Sequence, residues 1–135
     1  NWYYQHLPGE THDMDEVFET VLIDVDGRES IFKMGKLAIL WQLDRETGEL
    51  IKATDMGYQT ILNVNPTSGN ITYRDGMIPR IGQQIDMCPS TSGFKSWRAM
   101  AYSPQTKALY IPITLNCELA TFGPTEQVLG GGGTG

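Results

Sequence analysis

The stretch LAILWQLDRETGEL, residues 37–50, decides the fold because it reads as a strand, a turn and the start of a second strand. Its first half is rich in aromatic and aliphatic residues, as strands are. Asp44 follows, and its side chain can accept hydrogen bonds from the next backbone amides, while Gly48 can adopt the positive φ that closes a turn. The stretch therefore predicts a β-hairpin.

The same turn pattern occurs twice more, in VNPTSGNI at 64–71 and in YSPQTKAL at 102–109. Helical periodicity is weak even in its best stretch, 14–20, and prolines exclude long helices from the second half of the chain. Strands are predicted at 21–25, 30–32, 37–43, 100–102 and 109–113. Repeated hairpins predict an all-β fold with a few four-stranded antiparallel blades, as in a propeller, although a β-sandwich shows much the same pattern.

Composition excludes several classes of protein. The 135 residues carry a net charge of −6 with a pI near 4.7 and no basic run, so no nucleic-acid partner is expected. The longest apolar run, 37–41, is far shorter than the roughly 20 residues that cross a bilayer, so no transmembrane segment is expected.

Both ends of the sequence read as interior to a larger unit. The first residues, NWYYQ, resemble the middle of a strand, and the last, LGGGGTG, form a glycine run without a closing element. We therefore expect residues 1–135 to be a partial domain truncated at both ends. A complete small β domain is the alternative.

The densest polar cluster is HLPGETHDMDEVFE, residues 6–19, with two His, two Asp and three Glu. Asp13 and Asp15 are two positions apart, which in an extended segment places both carboxylates on one face. Such carboxylates repel each other unless a cation lies between them or one is protonated, and their oxygens suit Ca²⁺ or a similar large cation. The alternative is a solvated acidic loop.

Four other residues are candidates on their own chemistry. Lys36 begins an apolar strand, where it either points into a site at the end of the sheet or protects the strand edge. Trp97 ends the tight loop CPSTSGFKSW, residues 88–97, and is predicted to anchor the core rather than to bind a ligand. Cys88 and Cys117 lack the spacing of a zinc site, and composition leaves open one disulfide or two buried thiols.

Three motifs, taken in order, resemble one family. WYYQHLPGETHDMDEV at 2–17 is similar to its W-x-Y-Q-x-x-P-x-x-x-W-D-[YF]-x-x-V segment, and KMGKLAILWQLDRETGELI at 33–51 to its [RK]-N-G-x-x-Y-x-L-[DN]-R-x-[TN]-G stretch. CPSTSGFKSWRAMAYSPQTKALYIP at 88–112 resembles its C-P-x-x-x-G region, which ends in Y-x-P and L-Y. Over about residues 1–122 the chain thus resembles the quinoprotein methanol and ethanol dehydrogenases. The resemblance implies a segment of an eight-bladed β-propeller.

The resemblance also implies roles for the acidic and basic candidates. Asp13 stands at the position of the catalytic base, which is also a metal ligand. Asp15 stands where lanthanide-dependent members have a second acidic ligand and calcium enzymes have a small residue. Lys36 stands where an Arg or Lys hydrogen-bonds the oxygens of the quinone.

Two further positions are cofactor-binding candidates, and two form an implied disulfide. Ser96 stands where many members have an Asn that contacts the quinone, and Trp97 offers a flat surface beside it. Cys88 and Cys117 match a family disulfide of the same 29-residue separation.

The implied reaction is oxidation of a small alcohol to an aldehyde by hydride transfer to pyrroloquinoline quinone, with a lanthanide ion as Lewis acid and Ca²⁺ as the alternative. The implied electron acceptor is a cytochrome c, and the implied compartment is the periplasm. A homodimer of the full-length protein stays open. The chain alone, without the remaining metal and quinone ligands, is not expected to catalyse.

The chain departs from the family pattern next to the base. His12 replaces a Trp, Met14 replaces its aromatic neighbour, and Leu37 and Ala38 replace an Asn-Gly pair. One rival reading is a propeller scaffold that has lost catalysis, and another is a calcium enzyme in which Asp15 is incidental. A third is a carbohydrate-acting or carbohydrate-binding β domain. That class needs its two carboxylates on separated positions, and residues two apart fit this poorly.

Overall fold

The computed structural model describes residues 1–126 and 129–131, so part of the glycine run predicted as an open end lies outside the described residues. Within them the chain is built from strands without any helix, which confirms the all-β prediction and leaves 14–20 non-helical. In this part of the chain, accordingly, no helix has the length and apolarity needed to cross a membrane. The strands are β1 (Thr20–Val25), β2 (Arg28–Met34), β3 (Ile39–Asp44), β4 (Leu50–Asp55), β5 (Leu62–Val64), β6 (Ile71–Tyr73), β7 (Gln84–Met87), β8 (Ala101–Ser103), β9 (Ala108–Tyr110) and β10 (Glu118–Thr121).

Strands β1 to β4 form a four-stranded antiparallel sheet in chain order. In β3, Ile39, Trp41 and Leu43 are buried, while the residues between them are half-exposed. Because successive side chains of a strand point to opposite faces, this alternation places one face of the sheet on the core. The sheet is the unit that the hairpin pattern of residues 37–50 predicts.

All three predicted turns close hairpins by the predicted chemistry. Asp44 Oδ1, Asn65 Oδ1 and Ser103 Oγ each accept hydrogen bonds, of 2.9–3.3 Å, from backbone amides two or three residues ahead. Gly48 and Gly69 take a positive φ in the first two turns, and Lys107, with a φ of 53°, takes it in the third. The turns therefore follow from local side-chain chemistry alone.

The remaining strands pair as two-stranded ribbons, β5 with β6, β8 with β9 and β7 with β10, and the described residues contain no second four-stranded sheet. Prolines keep the first two ribbons short. Pro104 follows β8 directly, Pro66 comes two residues after β5, and Pro112 comes two residues after β9. Because proline donates no hydrogen bond to a ladder, the strand predicted at 109–113 ends at Tyr110.

The core centres on the fully buried Trp41. The prediction that NWYYQ lies within a strand is wrong, because residues 1–5 pair with no strand. The segment packs through its side chains instead: the ring centroid of Tyr4 lies 5.8 Å from that of Trp41, and the centroid of His6 lies 5.1 Å from it. Aromatic packing thus holds this segment in place of backbone pairing.

His6 makes the stability of this packing dependent on pH. Burial, reinforced by the positive charge of Lys33, lowers the pKa of His6 from 6.5 to about 4. Between these values the unfolded chain binds a proton that the folded chain excludes. The contribution of neutral His6 to the free energy of unfolding is therefore complete above pH 6.5 and is lost as the pH falls toward 4. We expect a slope of up to ~1.4 kcal/mol per pH unit in the free energy of unfolding.

Replacement of His6 by Phe keeps a ring against Trp41 and removes the titration. We expect the His6→Phe variant to show a flatter fall of melting temperature between pH 6.5 and 4 than the unmodified protein. Tyr4→Phe, which alters the same aromatic cluster and keeps the histidine, is the control and should preserve the slope. Equal slopes in the His6→Phe variant and the unmodified protein would contradict the assignment.

Candidate functional site

Lys36 brings the two predicted acidic residues together. Its ammonium nitrogen Nζ lies 3.2 Å from Asp13 Oδ2 and 2.8 Å from Asp15 Oδ2. It also donates to the backbone carbonyl oxygen of Asp13 at 2.7 Å. An ammonium group has three N–H donors, and these three oxygens match them in number. The acidic pair and the basic residue predicted from the sequence therefore form one cluster.

A local turn, and not strand alternation, produces this convergence. Asp13 has a φ of 60°, so the extended conformation predicted for it is wrong. Asp enters this left-handed region at a lower cost than most residues, because its short side chain hydrogen-bonds locally. The backbone amide of Lys36 donates to the carbonyl oxygen of Asp15 at 3.2 Å. This bond holds the segment around Asp15 against the residues that follow β2.

The charge of Lys36 is strongly held. Burial alone would lower the pKa of Lys36, but its hydrogen bonds to Asp15 and Asp13 outweigh burial and raise the pKa above its ordinary value. The Lys36 side chain is 10% exposed, whereas those of Asp13 and Asp15 are 37% and 46% exposed. The carboxylates therefore share a buried cation on one side and remain accessible from the other.

A loop tied down by a disulfide presses on the stem of Lys36. The predicted bond between Cys88 and Cys117 is present, which confirms that prediction. Further along the loop, the amide of Phe94 donates to the carbonyl oxygen of Lys36 at 2.8 Å. Gly93 has a φ of 82°, and a Cβ added to it would collide with Cβ and Cγ of Lys36. The loop thus holds the Lys36 side chain as far as Cγ and leaves the ammonium to the carboxylates.

Two further lysines hold the residues that follow the acidic pair, here called the acidic segment (residues 13–19). Lys33 Nζ donates to the carbonyl oxygen of Phe18 at 2.6 Å. Lys95 Nζ, which is fully buried, pairs with Glu19 Oε2 at 2.7 Å, and the other oxygen of Glu19 accepts the amide of Met100 at 2.7 Å. The sequence motifs predict neither lysine, and the available signal is only that both lie among apolar strand and loop residues.

Glu16 lies between these lysines with both carboxylate oxygens buried. A Cβ on Gly35 would collide with that carboxyl group, so glycine at 35 provides its space. Burial raises the pKa of Glu16 to about 8, against the opposing charges of Lys33 and Lys95. At neutral pH the group is therefore mostly protonated, which reduces the negative charge beneath the acidic pair.

Ser96 and Trp97 lie on the loop beyond Phe94. Ser96 is half-buried, but Trp97 is 82% exposed, so the prediction that Trp97 anchors the core is wrong. The chain becomes exposed at 97–99, after the buried Lys95, and the Trp97 ring packs edge to face on Phe18 at a centroid distance of 5.3 Å. Cofactor binding by Ser96 and Trp97 stays a prediction.

A cleft of about 590 Å³ opens beside Asp13, with His12, Met87 and Phe122 in its wall. His12, which replaces the family Trp, is 2% exposed. Its ring stacks on Tyr73 at 5.5 Å and meets Phe122 at 5.3 Å. Burial lowers the pKa of His12 despite the nearby Glu10, so the ring is neutral and serves packing.

The acidic pair fits part of the ligand set of a large, hard cation. Asp13 and Asp15 offer carboxylate oxygens, which such ions prefer. In the part of the chain that the structure describes, no three or more His, Cys, Asp or Glu side chains are grouped to hold a metal ion. A complete coordination shell would therefore need ligands besides these two residues.

Comparison with known proteins identifies relatives by sequence. No family model matches the chain. The lanthanide-dependent methanol dehydrogenase of Methylacidiphilum fumariolicum (strain SolV) is 32% identical over 125 residues, which are 86% of this chain and 20% of that protein. The dehydrogenase subunit of the alcohol dehydrogenase (quinone) of Acetobacter aceti is 30% identical over 117 residues, 82% of this chain and 16% of that subunit. The chain thus spans about a fifth of the length of the curated relatives it matches.

Solved structures agree with these relatives. A europium-containing methanol dehydrogenase matches with a TM-score of 0.75 and 28% identity, over 82% of this chain and 20% of that one. The quinohemoprotein alcohol dehydrogenase ADHIIG of Pseudomonas putida HK5 matches with a TM-score of 0.81 over 93% of this chain and 19% of that one, and at 24% identity this likeness shows the fold alone. In sequence and in fold, the chain is therefore similar to a segment of the quinoprotein alcohol dehydrogenases, and its strands correspond to part of their β-propeller.

Proposed function

We propose that the protein oxidises an alcohol to an aldehyde, with pyrroloquinoline quinone as hydride acceptor and a lanthanide ion as Lewis acid. The observation that carries the proposal is the contact of one ammonium group, that of Lys36, with the carboxylates of both Asp13 and Asp15. Relatives named as quinone-dependent and lanthanide-dependent dehydrogenases support the same chemistry.

Asp13 is suited to act as the catalytic base. Asp13 lines the cleft of about 590 Å³, where an alcohol could present its hydroxyl group. A carboxylate within hydrogen-bond reach of that hydroxyl accepts its proton as the hydride leaves the adjacent carbon. Lys36 holds this carboxylate in place through a contact of 3.2 Å between its ammonium nitrogen and Asp13 Oδ2.

Asp13, Asp15 and Lys36 would also hold the bound groups. When bound, the metal ion polarises the cofactor and the quinone accepts the hydride. Asp13 and Asp15 would coordinate the ion through hard oxygens, and Asp15 would supply the additional negative charge that a trivalent ion requires. Lys36 would provide a hydrogen bond and a positive charge beside the quinone oxygens. Ser96 and Trp97 would contact the cofactor from the neighbouring loop.

Electron transfer to a cytochrome c and a periplasmic location complete the proposal. The relatives include quinohemoprotein alcohol dehydrogenases, whose name records a haem group as well as the quinone. The disulfide between Cys88 and Cys117 suits an oxidising compartment. A small alcohol is the proposed substrate class.

Replacement of Asp13 by Asn tests the base. We expect the Asp13→Asn variant of the full-length protein, loaded with quinone and metal, to lose about 10²–10⁴-fold in kcat, because an amide does not accept the proton. The measurement is alcohol-dependent reduction of an artificial electron acceptor, with metal content determined in parallel. Asp26→Asn, in the turn between β1 and β2, is the control and should retain full activity. Undiminished turnover by Asp13→Asn at full metal content would rule out this role.

Replacement of Asp15 by Ala tests the choice of metal. We expect the unmodified protein to be more active with lanthanum or cerium than with calcium. The Asp15→Ala variant should lose most of its lanthanum-supported activity and proportionately less of its calcium-supported activity, because a trivalent ion depends more on the lost charge. Calcium-only activity that is unaffected by Asp15→Ala would contradict the lanthanide assignment and leave alcohol oxidation in place.

Replacement of Gly93 by Ala tests the placement of Lys36. The added methyl group collides with the Lys36 stem, so we expect at least a tenfold loss of kcat in addition to a lower melting temperature. Gly57→Ala is the matched control, since Gly57 has a φ of 75° with nothing within 4 Å of the added Cβ. It should cost about 1–2 kcal/mol of stability from backbone strain and leave kcat unchanged. Equal kinetic effects of the two variants would argue against positioning by Gly93.

A further inference from the structure

The ammonium group of Lys36 contacts three oxygens of the two acidic residues. Its nitrogen lies 3.2 Å from Asp13 Oδ2, 2.7 Å from the carbonyl oxygen of Asp13 and 2.8 Å from Asp15 Oδ2. The same carboxylates are the proposed metal ligands. One positive charge thus already occupies the position between them at which a cation would neutralise both.

We infer that Lys36 is a stand-in cation, which neutralises Asp13 and Asp15 in the metal-free protein and which a metal ion displaces from Asp15 on binding. The inference rests on the proposed function for the identity of the ion. The neutralisation itself rests only on the contacts of Lys36.

Asp15 is the partner that Lys36 releases. Asp13 holds the ammonium through two oxygens, one of the side chain and one of the backbone, whereas Asp15 holds it through a single side-chain oxygen. The Asp15 side chain is also the more exposed, at 46% against 37% for Asp13. The Asp15 contact is therefore the easier to exchange for a metal ion arriving from solvent.

Electrostatics drives the exchange. A trivalent ion coordinated by both carboxylates repels an ammonium group that shares the same oxygens, and the repulsion is strong because the Lys36 side chain is only 10% exposed. The stem cannot follow, since Gly93 packs on its Cα, Cβ and Cγ. Only the atoms beyond Cγ move, and one N–H that was bound to Asp15 becomes free for another acceptor at the site.

The metal-free protein provides the first arm of the test, by melting temperature at neutral pH after removal of metal with a chelator. We expect Lys36→Met to melt several degrees lower than Lys52→Met, which removes an exposed lysine from β4, because Asp13 and Asp15 are left to repel each other. In the double variant Lys36→Met with Asp15→Asn, one of the two charges is gone, and most of the loss should be recovered. Equal melting of Lys36→Met and Lys52→Met, or no recovery in the double variant, would overturn the stand-in role.

Titration of the full-length metal-free protein with lanthanum chloride, followed by calorimetry, provides the second arm. We expect Lys36→Met to bind lanthanum about tenfold more tightly or better, since a competing charge is removed. Lys36→Arg, which keeps the charge and the fold, should bind like the unmodified protein. Unaltered or weaker binding by Lys36→Met would overturn the displacement alone, whereas no lanthanum binding by the unmodified protein would overturn both the displacement and the proposed metal site.

Discussion

The candidate site depends on the attraction between three lysines and the acidic segment. That segment carries four carboxyl groups in seven residues and pairs with no strand, so backbone ladders do not hold it. Three lysines hold it instead. Lys36 contacts two carboxylates, Lys33 donates to a backbone carbonyl, and Lys95 pairs with a third carboxylate. Burial of a lysine costs free energy of desolvation unless its ammonium group is well hydrogen-bonded, and here each lysine meets an oxygen at 2.6–2.8 Å.

The fold provides the framework for these contacts in a short series of steps. Turn chemistry at Asp44 pairs β3 with β4 and thereby completes the sheet that contains β2. Lys33 lies close to the end of β2, and Lys36 lies two residues beyond Met34, the last residue of that strand. The disulfide at Cys88 then ties down the loop that closes over Lys36. One sheet and one loop held by the disulfide thus bring together site residues that are far apart in the sequence.

The features that local chemistry decides could be predicted from the sequence. The three hairpin turns depend on side chains that bond to their own backbone, and the motifs at 2–17, 33–51 and 88–112 carry the family resemblance. The features that depend on distant contacts could not. NWYYQ has strand-like composition but packs on Trp41, and Trp97 is apolar but lies where the chain leaves the core. The convergence of Asp13 and Asp15 depends on a left-handed φ that a spacing of two does not reveal.

The packing of Gly93 on the stem of Lys36 has a consequence for how the proposed site would acquire its metal ion. Because Gly93 fixes the stem of Lys36 and only the ammonium end contacts the carboxylates, exchange of its partner would require no rearrangement of the backbone. Metal binding could then follow folding and formation of the disulfide between Cys88 and Cys117. Under the proposed function, the supply of the ion, rather than folding, would then limit formation of the metal-loaded site.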